Sequence, residues 1–135
     1  MTIIQWNDKY SVNIAEVDEQ HKKLIGLLNR LADAMCVGKG RDMVGGVLAE
    51  VLDYTVYHFS TEERLFQQYD YPGYQEHKRQ HDDLTAKAKT FKEDFEGGKW
   101  MITIDVLNFL SNWLNDHILR EDKKYAPYLK SKGVQ

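Results

Sequence analysis

The stretch YHFSTEERLFQQYD, residues 57–70, contains a histidine and a glutamate four positions apart within an amphipathic helical pattern. Residues at this spacing project from the same face of an α-helix, about one turn apart. His58 shares its face with apolar residues such as Val51 and Leu65. His58 and Glu62 are therefore predicted to point together into the protein, where they could hold one ion.

Helical periodicity covers most of the chain, and turn-forming residues separate the periodic blocks. Apolar stripes predict helices over about residues 17–35 and 42–69, a third helix after Pro72 and Gly73, and a fourth that begins near Thr103 as N-cap. No segment alternates with a period of two. The predicted fold is all-α, an up-down-up-down four-helix bundle.

The two ends of the chain lack this periodicity. Residues 1–16 contain apolar residues without helical spacing and are predicted to form an extended arm across the helices. Residues 122–130, around Pro127, are predicted to form a short extra helix or an irregular tail. A length of 135 residues suits one core, so residues 1–135 are interpreted as a single domain.

The composition argues against several classes of function. Net charge is −3 and no long basic run is present, so no nucleic-acid surface is expected. No apolar run reaches the roughly 18 residues of a spanning helix, and no signal peptide is expected. Cys36 is the only cysteine, which suits a reducing compartment. We expect a cytoplasmic protein without membrane insertion, and its polar exposed faces favour a monomer.

All five histidines fall on the inward stripes of the predicted helices. A buried polar group without a partner costs roughly 1–3 kcal/mol, so five separate structural histidines would need many partners. A shared metal centre satisfies them together. The histidines are His21, His58, His77, His81 and His117, of which His77 and His81 are again four apart.

The donor set indicates two transition metals. Imidazole suits zinc, copper, iron or nickel, and five imidazoles exceed the three protein ligands of a typical catalytic zinc. Glu62 is the first candidate for a bridging carboxylate. For a second bridge, Glu121 lies only about 40° round a regular helix from His117, whereas Asp122 lies about 140° round. Helix geometry alone therefore favours Glu121, unless the helix ends or distorts after His117.

The ligand candidates follow the order H…HxxxE…HxxxH…HxxxxD, formed by His21, His58 and Glu62, His77 and His81, and His117 and Asp122. With the surrounding segments DEQHKKLIGLLNRL, YPGYQEHKRQHDDL and NWLNDHILREDKKYAPYL, this order resembles hemerythrin, in particular the single-domain bacterial hemerythrins. The resemblance extends from Trp6 to Leu129.

The resemblance implies two non-haem iron ions bridged by an oxo or hydroxo group and by two carboxylates, Glu62 and Asp122. It implies that one iron is held by His77, His81 and His117. The other iron would be held by His21 and His58, and it would bind dioxygen at an open position. Asp122 thus replaces Glu121 as the second bridge, and Glu121 is expected to face solvent. Glu63 and Arg64 are also expected to face solvent.

The resemblance also implies a dry oxygen pocket beside the irons. Its expected lining consists of Leu24, Phe59, Trp113, Leu114 and Ile118. Tyr125 resembles a tyrosine near the family's site.

The implied function is reversible dioxygen binding for storage, transport or delivery, with an oxygen-consuming enzyme or redox partner as recipient. Alternatives are oxygen or redox sensing, and a di-iron oxidase, peroxidase or nitric-oxide-handling enzyme. Sensors of this kind are usually fused to signalling domains, so a 135-residue chain would need a separate partner. Ferritin-like di-iron enzymes use mostly glutamate ligands, so the imidazole-rich set favours binding over oxidation, and no enzyme activity is expected.

Overall fold

The computed structural model of the protein describes residues 4–36, 41–97 and 103–135, which fold as a bundle of four long helices. These ranges contain no strand, and the predicted all-α four-helix bundle is confirmed. No helix within them is both long and apolar enough to span a membrane. The helices are α1 (Ala15–Cys36), α2 (Arg41–Gln68), α3 (Tyr74–Glu96), α4 (Thr103–Asp116) and α5 (Lys123–Ser131).

The short fifth helix resolves one of the predicted alternatives, since the tail after residue 122 is helical through Pro127. The fourth helix begins at Thr103, as predicted. The side chain of Thr103, which was expected to cap that helix, and the side chain of Cys36 lie outside the part of the chain that is described.

The N-terminal arm crosses the bundle as predicted, with one short 3-10 helix at Asp8–Tyr10. The side chain of Asn29 on α1 pairs with the backbone of Ile4, accepting from its N–H at 3.2 Å and donating to its carbonyl at 2.9 Å. Farther along, the Tyr10 hydroxyl donates to Asn115 Oδ1 on α4 at 2.7 Å. The arm is thus fixed to α1, which carries His21, and to the end of α4, which directly precedes His117.

Two apolar clusters make up the core, and the histidines lie between them. Along α1, Val17 belongs to one cluster and Leu24 to the other, with the buried His21 between them. Along α2, Phe59 and Leu65 belong to different clusters, with the buried Glu62 between them. The polar layer is therefore enclosed by apolar packing at both ends.

One glycine in α2 allows close helix packing. A Cβ at Gly45 would lie 2.8 Å from Cε1 of Phe95, a buried ring on α3. Glycine weakens a helix by roughly 0.5–1 kcal/mol relative to alanine. At Gly45 the close approach of α3 explains why a glycine is present.

Candidate metal centre

The helical path of the chain is distorted between His117 and Asp122, the candidate for the second carboxylate. After α4, residues His117–Asp122 form a π-helical segment. Hydrogen bonding from i to i+5 widens the turn, so a residue five positions on returns to the same face. Asp122 is fully buried, and its Oδ1 lies 3.0 Å from His117 Nε2. Glu121 instead pairs with Lys124, with Nζ 3.1 Å from Oε2.

The structure therefore brings Asp122, and not Glu121, to the histidines. The inference from regular helix geometry was wrong because it assumed 3.6 residues per turn through a π-helical segment. Glu121 is 24% exposed, so it lies at the surface as the family pattern implies.

The seven predicted ligand residues form two overlapping groups. In each group the potential donor atoms lie within 4.8 Å of one another, and Glu62 belongs to both. One group contains Glu62, His77, His81 and His117, and the other contains His21, His58, Glu62 and Asp122. All seven side chains are buried.

The spacing of the donor atoms suits ligands that share an ion. Two nitrogens bound at roughly 2.1 Å from one metal, at a right angle, lie about 3.0 Å apart. The Nε2 atoms of His81 and His117 are 3.3 Å apart, and Glu62 Oε1 lies 3.1 Å from His81 Nε2 and 3.3 Å from His58 Nε2.

Asp122 lies between the two groups. Its Oδ1 is 3.1 Å from His77 Nε2 and 3.0 Å from His117 Nε2. Its Oδ2 is 2.9 Å from His21 Nε2. One carboxylate oxygen thus faces each group, which is the arrangement that a bridging carboxylate needs.

Six of the converging atoms have no hydrogen-bond partner within the described part of the chain. Buried polar groups normally have hydrogen-bond partners, so unpartnered ones indicate a missing ligand. The unpartnered atoms that face the cluster are the Nε2 atoms of His21, His58 and His77, Oε1 of Glu62, and both carboxylate oxygens of Asp122. The residues fit a metal centre with imidazole and carboxylate donors.

Both carboxylates are held in the ionised form. Burial raises the pKa of Asp122 and the charge of Glu62 adds to this, but His117 and His21 outweigh both and hold that pKa well below its usual range. Burial likewise opposes ionisation of Glu62, but His58, His77 and His81 hold its pKa well below the ordinary value. Ionised carboxylates are the form that binds metal.

The same two carboxylates shift the pKa of His77 upward. Burial lowers its pKa, but Asp122 and Glu62 outweigh burial and raise the pKa of His77 to about 10. A proton on His77 and a metal ion are alternative partners for these carboxylates, so metal binding displaces the proton.

Three outer contacts orient the candidate ligands, and sequence reasoning missed two of them. The Nδ1–H of His81 donates to Glu63 Oε2 at 3.0 Å, and the Nδ1–H of His58 donates to Gln20 Oε1 at 2.7 Å. The expectation that Glu63 faces solvent was wrong, since its side chain is only 19% exposed and reaches back to α3. The third contact is from the buried Tyr125, whose hydroxyl donates to Glu62 Oε2.

Position beside a ligand was the only sequence signal for these partners. Gln20 precedes His21 and Glu63 follows Glu62. Adjacency does not show that each contacts a histidine on a different helix, because that depends on how the helices pack.

The residues expected to line an oxygen pocket are divided between a small cavity, ring contacts with histidines and the apolar core. Leu24, Trp113 and Leu114 line a small apolar cavity together with Leu28, Val51, Thr55, Leu84 and Leu110. Trp113 also stacks on His117 with ring centroids 4.4 Å apart, and Phe59 stacks on His81 at 3.8 Å. Ile118 is buried in the core but does not line this cavity.

Buried imidazoles and carboxylates converge from all four helices of the bundle. This arrangement places the chain in a class of histidine-rich, metal-binding helical proteins. The family described as "Hemerythrin HHE cation binding domain" matches residues 12–129. The chain belongs to the hemerythrin family of non-haem iron, oxygen-binding proteins.

Similarity to individual members extends over nearly the whole chain. The chain is 34% identical to the bacteriohemerythrin of Stenotrophomonas maltophilia, over 97% of this chain and 84% of the relative. It is 31% identical to the bacteriohemerythrin of Methylococcus capsulatus, over 97% of this chain and 100% of the relative. A crystal structure of wild-type hemerythrin superposes with a TM-score of 0.89 at 31% identity, covering 94% of this chain and 98% of that one.

Proposed function

We propose that this chain binds dioxygen reversibly at a pair of iron ions, for storage, transport or delivery. The observation that carries the proposal is the buried, imidazole-dominated set of seven donors, arranged as two groups that share Glu62 and have Asp122 between them. Neutral imidazoles leave the ions fewer anionic ligands than a glutamate-rich site does, which favours oxygen binding over oxidative chemistry. An oxygen-consuming enzyme or a redox partner is the proposed recipient, and no enzyme activity is proposed.

Each ion has its own imidazoles in this proposal. His77, His81 and His117 would hold one ion, and His21 and His58 would hold the other. Glu62 and Asp122 would be shared between the two ions. Once bound, the iron pair supplies the electrons that dioxygen takes up on binding and returns on release.

The ion held by His21 and His58 has fewer protein ligands, so it is the one proposed to offer a position to dioxygen. Leu24 follows His21 by three residues on α1 and lines the apolar cavity with Trp113 and Leu114. The proposed role of these side chains is to exclude water from the metal centre. Trp113 and Phe59 additionally hold His117 and His81 in place by stacking.

The reduced, iron-loaded protein tests this function directly. We expect a visible absorption band to appear when oxygen is admitted and to disappear when oxygen is removed, over repeated cycles and with two irons per chain. Stopped-flow spectra would contradict the proposal if they showed irreversible oxidation with no oxygenated form. A variant that contains almost no bound iron serves as the blank for the spectra.

Leu24→Asn tests the dry cavity while keeping the number and branching of the side-chain heavy atoms. Leu24 is 1% exposed, so an amide at this position brings a polar group and a hydrogen-bonded water to the oxygen pocket. We expect irreversible oxidation of the oxygenated protein to become severalfold faster, as followed by the decay of the visible band. Leu24→Met is the control, because Leu-to-Met exchange usually costs less than about 1.5 kcal/mol and keeps the wall apolar. Equal decay rates in the two variants would exclude a water-excluding role for Leu24.

A further inference from the structure

The two metal positions differ in the charge of the groups that support their histidines. In both positions an imidazole directs Nε2 to the shared Glu62 and turns Nδ1 outward. The outward partner is a carboxylate for His81, at 3.0 Å from Glu63, and a neutral amide for His58, at 2.7 Å from Gln20. The two hydrogen bonds therefore have the same arrangement, but only the partner of His81 is a carboxylate.

The neutral partner is fixed in its orientation. Gln20 is buried, and its Nε2 donates to Thr61 Oγ1 at 3.1 Å, which leaves Oε1 to accept from His58. His21, the other imidazole of that group, has no hydrogen-bond partner at Nδ1 within the described residues. The group of His21 and His58 therefore has no anionic support at these two imidazoles.

We infer that Glu63 is a positioning residue that strengthens metal binding at the position of His77, His81 and His117, in addition to the difference that three imidazoles against two already make. This inference rests on the ligand set of the proposed function, but it does not depend on dioxygen binding. Gln20 has the corresponding role at the other position and leaves it the weaker. The two ions are then bound in order, the Glu63-supported position first.

The physical cause is the strength of the outer hydrogen bond. A hydrogen bond to an ionised acceptor is roughly twice as strong as one between neutral groups. Donation of Nδ1–H to a carboxylate makes Nε2 more basic and a better metal ligand, and loss of such a partner typically costs about 10–100-fold in metal affinity. His81 is 1% exposed and Glu63 19% exposed, so solvent screens this interaction only in part.

Cobalt(II) titration of the metal-free full-length chain in the absence of oxygen tests the inference. Cobalt(II) binds imidazole and carboxylate donors and reports its coordination by visible absorption. We expect two resolved binding steps in the unsubstituted protein. Glu63→Gln should weaken the first step by about 10–100-fold and leave the second nearly unchanged.

The choice of variant separates charge from orientation. The glutamine of E63Q can still accept from His81 Nδ1, whereas E63A removes the hydrogen bond altogether. If charge is the cause, both variants weaken the first step. Gln20→Glu should have the opposite effect. It should strengthen the second binding step and so reduce the difference in metal affinity between the two steps. E121Q is the matched control, since Glu121 is similarly exposed at 24% and pairs with Lys124.

The inference would be overturned if the first binding step of E63Q had the same cobalt(II) affinity as that of the unsubstituted protein. Equal weakening in E121Q would also overturn it, because a general loss of negative charge would then be the cause. Circular dichroism of each metal-free variant establishes that it is folded. Oxygen-binding spectra of the iron-loaded protein are recorded separately, so failure of the proposed function and failure of this inference give different results.

Discussion

Replacing Asp122 with asparagine is expected to reduce the bound iron from two ions per chain to one or none. Both oxygens of Asp122 face the imidazoles, with Oδ1 3.0 Å from His117 Nε2 and Oδ2 2.9 Å from His21 Nε2. Asparagine keeps one oxygen and replaces the other with an NH2 group, which cannot coordinate a metal. The substitution also removes one of the two buried negative charges that balance the ions.

The measurement is the iron-to-protein ratio after reconstitution and a brief wash with chelator. Glu121→Gln is the control, because the same loss of charge is made one residue away at a side chain that contacts Lys124 instead. It is expected to keep two irons. If E121Q lost iron and D122N kept it, the regular helix would be the better guide and the π-helical segment would not position a ligand.

The bundle could be predicted because its signal is repeated many times along the chain. Each long helix carries an apolar stripe over several turns, so an error at one residue does not change the outcome. The same redundancy identified the histidines as a group. Each of the five lies on a stripe, and the structure buries all of them.

The positions of Asp122 and Glu63 could not be predicted from helical periodicity. The position of Asp122 depends on a π-helical segment, and no periodicity rule anticipates a local change in hydrogen-bonding pattern. Only the family's residue order pointed to it. Glu63 depends on the packing of α2 against α3, since its partner His81 lies on the neighbouring helix. A charged residue beside a ligand can face solvent or support a second ligand, and sequence alone does not distinguish these outcomes.

Removal of both metals is expected to lower the melting temperature of the protein substantially. Without an ion, the structure buries two ionised carboxylates and several imidazole nitrogens that have no hydrogen-bond partner among the described residues. A ligand present at about a thousandfold above its Kd stabilises the folded state by about 4 kcal/mol, and two ions that are each bound this tightly stabilise it by about 8 kcal/mol. For a chain of 135 residues this corresponds to a loss of roughly 20 °C or more.

Thermal unfolding of the iron-loaded and chelator-treated protein, followed by circular dichroism, measures this loss. D122N is the control for the chelator, because a variant that holds little iron should melt at nearly the same temperature with and without treatment. Equal melting temperatures for the two forms of the unsubstituted chain would contradict the proposed centre. That result would mean that protons on the imidazoles, such as the one favoured on His77, balance the carboxylates as well as metal ions do. A large loss confined to the unsubstituted chain would instead show that the polar layer between the two apolar clusters is stabilised by metal.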